Sequence, residues 1–118
     1  MPDSEKYFNE HGGIKGTKIR IITHDTRNKR DVSLAKYAEI SAEKPAIIVL
    51  HQSADMEVLK SRLAEDKIPA LGFSPTPKTI WPRGWIFQTL PPYTDQFGLF
   101  LDWLRSDLEK RGKKGKIK

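Results

Sequence analysis

The side chains best suited to bind a ligand are hydroxyl groups that directly follow short apolar segments of the chain. Ser53 follows one such segment, and a helical pattern begins with it. A hydroxyl at a helix N-terminus lies beside unpaired backbone N–H groups and the positive end of the helix dipole, so Ser53 suits a carboxylate or another small anion. The alternative is that Ser53 only caps its helix.

Two further hydroxyl groups, those of Ser74 and Thr76, follow the next apolar segment. Pro75 and Pro77 interrupt this loop, fix its backbone and leave carbonyl groups exposed. Small hydroxyls on a rigid loop suit an ammonium group or another polar ligand. Ordinary turn formation explains the same residues equally well, so both interpretations stay open.

The residues that would indicate catalysis or a bound metal are not arranged for either purpose. His11, His24 and His51 lack metal-ligand spacing, and no HExxH pair occurs. No serine lies in a GxSxG setting, there is no Walker loop, and cysteine is absent. His51 could line a cleft, although a structural, hydrogen-bonded histidine is the commoner case. We therefore expect no enzyme activity, no cofactor and no metal.

Four segments have the composition of β-strands and would position these groups. Residues 45–50 form a continuous β-branched run, which is typical of a strand covered on both faces in a parallel sheet. The other predicted strands are residues 18–23, 67–73 and 85–89. A glycine-rich turn precedes the first of these.

Three helical patterns alternate with the predicted strands. Asp31 is expected to cap the first, which runs to about Glu43; the second begins at Ser53, and the third follows Thr94. The apolar residues expected to face inward are, in chain order, Leu34, Ala35 and Ala38; Met56, Leu59 and Leu63; and Phe97, Phe100, Leu101, Leu104 and Leu108.

This alternation predicts an α/β fold with right-handed crossovers and a mainly parallel sheet sandwiched by helices in three layers. Ligands bind such sheets at the carboxyl ends of the strands, where Ser53, Ser74 and Thr76 are expected. We expect one domain over residues 1–110 and a basic tail over residues 111–118. Because the first pattern is a helix and the last residues could start another strand, we interpret the chain as part of a larger protein.

The charge of the chain is concentrated at its end. Of a formal net charge of +6, five units fall in residues 105–118, which hold seven basic and two acidic side chains. The remaining 104 residues are therefore nearly neutral, which argues against a polyanionic partner such as nucleic acid. The longest apolar run, residues 46–50, is much too short to span a membrane, and the first residues do not resemble a signal peptide.

One segment resembles a known family. Residues 7–19, which contain the pattern N-x-x-GGI-x-G-x-K-I from Asn9 to Ile19, are similar to a segment of type I periplasmic amino-acid-binding proteins, the leucine/isoleucine/valine-binding family. Asp25, Ser53, residues 67–76 and residues 90–96 follow in the order of that family. The resemblance covers about residues 5–118 and implies most of one Rossmann-like lobe, without its first strand and without a second lobe.

The resemblance also implies a function. Members of this family are periplasmic or extracytoplasmic receptors of ABC importers, and they hold an amino acid or a similar small carboxylate between two lobes. By position, Ser53 resembles the residue that binds the ligand's carboxylate. Ser74, through its carbonyl, and Thr76, through its hydroxyl, resemble those that bind the ammonium group. The permease would then be a partner of the parent protein.

Three other functions stay open at this point. Without its first strand the domain would expose unpaired backbone, so the chain could be a sensor or oligomerisation module that forms a homodimer through exposed strands. An enzyme with a flavodoxin-like sheet is disfavoured because no acid–base pair or nucleophile stands out. Nucleic-acid binding through the basic tail is disfavoured because no aromatic residue is interleaved with its charges.

Overall fold

Helices and short parallel strands alternate along the chain. The computed structural model describes residues 2–73 and 75–113. Its elements are α1 (Pro2–Glu10), α2 (Arg30–Ala42), β1 (Ile48–Leu50), α3 (Ser53–Asp66), β2 (Ala70–Gly72), α4 (Pro77–Ile80), β3 (Ile86–Gln88) and α5 (Tyr93–Lys110). The three strands form a sheet in the order β1-β2-β3 with both pairs parallel. The predicted α/β fold with a parallel sheet is thereby confirmed.

The core lies between one face of the sheet and α3. Ile48, Ala70 and Ile86 are neighbours in the strand register, and all three are buried. Opposite them, α3 places three side chains in the same core, which are Met56, Leu59 and Leu63, as predicted. The i, i+3, i+7 spacing of these three positions gives one helix face, so the apolar periodicity of α3 correctly indicates its buried side.

The segment predicted as the first strand, residues 18–23, is not a strand. Its backbone is bound by side chains of α1: Asn9 exchanges two hydrogen bonds of 2.8 Å with the backbone of Ile19, and Glu5 Oε2 accepts one of 2.7 Å from the Ile21 N–H. Within residues 2–73 and 75–113 no strand pairs with this segment. A β-branched sequence without a backbone partner cannot form a ladder, and here side chains take that role.

The inward face predicted for α2 is wrong. Leu34, Ala35 and Ala38 are exposed, whereas Ser33 and Tyr37 are buried. The helix begins at Arg30, so Asp31 lies in its first turn and is not its cap.

Two hydrogen bonds to α3 explain which side of α2 is buried. Ser33 Oγ donates to Asp55 Oδ1 at 2.5 Å, and Tyr37 Oη donates to Asp66 Oδ2 at 2.7 Å. Because α2 packs against α3 through these hydrogen-bonded side chains, the apolar face predicted for α2 is left toward solvent.

The Tyr37 hydrogen bond gives a first testable prediction. Burial, together with the hydrogen bond to Asp66, raises the pKa of Tyr37 above its usual value. The folded state therefore favours the neutral phenol, and this stabilisation is lost as the pH rises beyond the unfolded pKa of about 10. We expect Tyr37→Phe to lower the free energy of unfolding by about 0.5–1.5 kcal/mol at pH 7.

Urea unfolding of both chains at pH 7 and above pH 10 measures this effect. The advantage of the wild type over Tyr37→Phe should shrink at alkaline pH, because only the wild type can release a phenolic proton on unfolding. An advantage of the same size at both pH values would contradict the assignment of the raised pKa to this contact.

Two apolar surfaces have no partner among the described residues. The first, which we call the open sheet face, consists of Val49, Leu71 and Phe87, side by side in the register on the face away from α3. Val49 is 46% exposed and Phe87 is 54% exposed.

The second unpartnered surface, the α5 stripe, is the predicted apolar face of the last helix. Phe97 is 61% exposed and Phe100 is 48% exposed. The stripe also includes Leu101, Leu104 and Leu108. Neither α1 nor α5 packs against another helix or strand in the described part of the chain. The predicted helix is thus present, but its apolar face is not buried. No described helix is both long enough and apolar enough to be a membrane span.

Candidate functional site

The parallel strands end at one edge of the sheet, and the candidate site lies there. Leu50, Gly72 and Gln88 are the last residues of β1, β2 and β3, and they are neighbours in the register. Backbone hydrogen bonds join the C-terminal ends of the strands. The Phe73 N–H donates to Leu50 O at 3.1 Å, and the Thr89 N–H donates to Gly72 O at 3.0 Å. The residues that follow each strand are therefore held beside one another.

Ser53 lies at this edge, as the first residue of α3. Gln52, with an extended backbone, is the N-cap, so the interpretation of Ser53 as the capping residue is wrong. The first N–H of the helix paired within the backbone is that of Met56, which donates to Gln52 O at 3.2 Å. The Ser53 hydroxyl and the backbone N–H groups of residues 53–55 have no acceptor among the described residues. They are therefore available to an anion.

Thr76 faces the same helix. Its Oγ1 donates a hydrogen bond of 2.7 Å to Oε1 of Glu57. Glu57 lies four residues after Ser53, hence on the same side of α3 and one turn further along. The loop is held firmly, because Thr79 donates to Thr76 O from both its hydroxyl (2.6 Å) and its N–H (3.0 Å).

Two of the three residues predicted to contact a ligand lie in the described part of the chain. Ser53 and Thr76 both lie beside the first two turns of α3. Ser74 lies outside the described residues, so the position of its carbonyl stays a prediction. The role of all three groups in binding also stays a prediction.

Glu57 is a candidate site residue that the sequence reasoning missed. Its carboxylate accepts the Thr76 hydroxyl and is otherwise exposed. Because the Thr76 hydroxyl uses its hydrogen for Glu57, its oxygen presents only lone pairs to a third group. Together the two side chains offer oxygen acceptors of the kind that an ammonium group needs. The i+4 spacing from Ser53 was the signal that could have identified Glu57.

His51 and Phe73 form a second feature that the sequence did not reveal. They follow β1 and β2 directly, and their rings are stacked, with centroids 4.9 Å apart and planes 4° from parallel. The pair offers a flat, partly exposed surface beside the strand ends. The sequence left open whether His51 lines a cleft or is structural, and this stacking is compatible with either role.

Two further polar side chains of α3 make contacts with neighbouring elements. The buried Asp55 accepts its hydrogen bond from Ser33, and Lys60 Nζ donates to the carbonyls of Lys78 (2.8 Å) and Trp81 (3.0 Å). These contacts hold α3 against α2 and α4. In the described ranges no group of three or more histidine, aspartate, glutamate or cysteine side chains is placed to hold a metal ion.

A broad concavity of about 520 Å³ lies elsewhere, at the amino ends of the strands. It is lined by the C-terminal ends of α2 and α3 and by the residues that follow them, among which are Lys44 and Lys67. It therefore does not coincide with the predicted site. Ser53 and Thr76 are both partly exposed at the edge where the strands end.

Comparisons with known proteins give one result. A family model described as "Periplasmic binding protein" matches residues 5–114. A search of curated proteins and a search of solved structures each returned no match.

Proposed function

The chain belongs to the periplasmic binding protein family, and from that premise we propose that it is part of an extracytoplasmic receptor that binds amino acids or similar small carboxylates for an ABC importer. The family indicates a solute-binding protein that binds a small molecule and generally lacks catalytic activity. The α/β fold is consistent with part of a Rossmann-like lobe. The observation that carries the proposal is that the Ser53 hydroxyl and the first N–H groups of α3 have no acceptor among the described residues and lie on the same side of α3 as the Glu57–Thr76 pair.

In this proposal the ligand is a zwitterion. Its carboxylate would accept hydrogen bonds from the Ser53 hydroxyl and from the backbone N–H groups that follow it, where the helix dipole is favourable. Its ammonium group would donate to the Thr76 oxygen, to the Glu57 carboxylate and to the Ser74 carbonyl. No bond is made or broken. A side chain like that of leucine, isoleucine or valine would lie near the stacked His51 and Phe73.

We further propose that residues 1–110 are one lobe of a two-lobed receptor, and that residues 111–118 lead toward the second lobe. Closure of the lobes would remove the ligand from water and strengthen its hydrogen bonds. A permease would recognise the closed form. A receptor of this kind would act in the periplasm or an equivalent extracytoplasmic space.

The test of the ligand class is a titration of the 118-residue chain, followed by NMR chemical shifts. We expect weak binding of leucine, isoleucine or valine, with a Kd of about 1 mM or above, because one lobe supplies only part of the contacts. Matched compounds that lack either the ammonium or the carboxylate group should bind at least tenfold more weakly. Submicromolar binding would refute the need for a second lobe. Equal binding of the amino acid and of the two compounds that each lack one charged group would refute zwitterion recognition.

The Ser53→Ala variant separates ligand contact from helix stabilisation. Because the Ser53 hydroxyl makes no hydrogen bond to any of the described residues, we expect the free energy of unfolding to change by less than about 0.5 kcal/mol. Amino-acid affinity should fall by about tenfold through loss of one hydrogen bond to a charged group. Ser106→Ala, an exposed serine on α5, is the matched control and should change neither quantity. Unchanged affinity in Ser53→Ala would argue against the proposed carboxylate contact.

A second candidate function is a non-enzymatic sensor or oligomerisation module that pairs through exposed strand edges. The observation that favours it is that β1 pairs only with β2, and β3 only with β2, among the described residues. Both outer edges are therefore free to pair with a strand of another chain as a homodimer. Sedimentation of the chain tests this candidate, since a monomer at all concentrations would count against it.

A further inference from the structure

The stacked rings of His51 and Phe73 lie next to both segments that supply the proposed binding groups. His51 precedes Ser53 by two residues, so their Cα atoms are at most about 7 Å apart. Phe73 precedes Thr76 by three residues, and its N–H donates to Leu50 O at 3.1 Å. This hydrogen bond holds the two ring-bearing segments side by side. The ring pair is therefore within reach of the side chain of an amino acid bound at this edge of the sheet.

Neither ring serves the packing of the domain. His51 makes no hydrogen bond or ion pair with any of the described residues. Both rings are exposed, Phe73 by 37%, and neither belongs to the buried core. A structural histidine ordinarily forms a hydrogen bond through a ring nitrogen, and a structural phenylalanine is ordinarily buried. The exposed ring surface is therefore available to a ligand.

A second pair of a histidine and an aromatic residue, on α1, differs from this one in its origin. Tyr7 and His11 are one helical turn apart, His11 Nδ1 donates to Tyr7 O at 2.7 Å, and the ring planes are tilted by 31°. Helical spacing and the hydrogen bond account for that contact. His51 and Phe73 follow different strands, 22 residues apart in sequence, and their planes differ by only 4°. They form a flat surface, on which a third ring can stack.

We propose that His51 and Phe73 determine specificity, and that they favour an amino acid with an aromatic side chain over one with an aliphatic side chain of the same size. The inference rests on the proposed function, because it needs an amino acid held at Ser53 and Thr76. The ligand's ring stacks on the exposed ring surface in an offset, parallel arrangement. Such a ring pair gains free energy beyond the burial of its area, which corresponds to about 2- to 10-fold in affinity. An aliphatic side chain gains only from burial.

The experiment compares L-phenylalanine with L-cyclohexylalanine in NMR titrations of the 118-residue chain. The two compounds have the same carbon skeleton, but only phenylalanine has a flat, aromatic ring. We expect phenylalanine to bind about 2- to 10-fold more tightly. Equal binding, or tighter binding of cyclohexylalanine, would overturn this proposal and leave the proposed function standing. If neither compound binds and leucine does not bind either, the proposed function fails, and this proposal fails with it.

Two variants assign the preference to the ring pair. Phe73→Leu and His51→Leu each keep an apolar side chain and remove one flat ring. We expect the preference for phenylalanine to disappear in the variant that lacks the ring in contact with the ligand, while leucine affinity stays unchanged. Tyr7→Leu is the matched control, because it removes a ring from the pair on α1, which packs against no other helix or strand in the described part of the chain. A preference that survives in both site variants, or that is lost in the control, would overturn the proposal.

A measurement on the wild type alone keeps the proposal testable if a variant fails to fold. Protons that lie above an aromatic ring are shielded by its ring current. Bound phenylalanine should therefore shift ring-proton signals of His51 or Phe73 upfield, and bound cyclohexylalanine, which has no ring current, should not. If phenylalanine binds without an upfield shift at either residue, the ligand does not stack on this pair, and the proposal is wrong.

Discussion

Replacing Leu63 with alanine is expected to lower the free energy of unfolding by about 2–5 kcal/mol. Leu63 is fully buried and belongs to the cluster that joins α3 to the sheet. Removing three carbon atoms there loses transfer free energy and leaves a cavity that the short strands cannot close without moving α3. Since α3 begins with Ser53, a shift of α3 relative to the sheet should also weaken amino-acid binding.

Urea unfolding at one fixed protein concentration measures this change, because any dimer would link stability to concentration. Leu99→Ala is the matched control: Leu99 lies on α5, is 67% exposed, and should change the free energy of unfolding by no more than about 0.5 kcal/mol. Equal effects of the two substitutions would mean that the contact between α3 and the sheet is not the core of this domain.

The sheet and α3 were predictable because their signals are local. The apolar run before Ser53 is a strand, and the i, i+3, i+7 pattern of α3 indicates its buried side. The strands are shorter than predicted: residues 48–50 form β1 where 45–50 were expected. Each of the two parallel ladders pairs three residues per strand, and the apolar residues that flank them lie outside the ladders.

The errors come from contacts between residues that are distant in sequence. Residues 18–23 have strand propensity, but a strand also needs a partner, and propensity cannot show that Asn9 and Glu5 bind this backbone instead. Similarly, the apolar pattern of α2 could not reveal that Ser33 bonds to Asp55, 22 residues later in the chain. Such polar contacts determine which face of α2 is buried.

The candidate site was predictable at the level of location and not of detail. A parallel sheet brings the residues after its strands to one edge, so the placement of Ser53 and Thr76 beside the start of α3 follows from the strand pattern. The hydrogen bond from Thr76 to Glu57 and the stacking of His51 on Phe73 depend on side-chain conformations across elements. The i+4 spacing from Ser53 places Glu57 on the same side of α3, but it does not show which side chain Glu57 binds.

Replacing Gly72 with alanine tests how α3 packs against the sheet at the edge of the candidate site. A Cβ atom at position 72 would lie 2.5 Å from Met56 Sδ and 3.1 Å from Met56 Cε. Met56 is fully buried within the hydrophobic core, so its side chain can yield only by repacking against its core neighbours. We expect overpacking to lower the free energy of unfolding by about 1–3 kcal/mol.

The effect should extend to the ligand, because Met56 lies only three residues after Ser53 and a shifted Met56 moves the first turn of α3. Amino-acid affinity should therefore fall together with stability. Gly84→Ala is the matched control, since a Cβ there meets no atom within 4 Å, and it should be neutral or stabilising by about 0.4–1 kcal/mol. Met56→Ala combined with Gly72→Ala should cost less than the two single changes added together, because the smaller side chain leaves room for the new methyl group. Full additivity of the two changes would show that α3 does not approach β2 through these residues, and the site at its N-terminus would then need a different support.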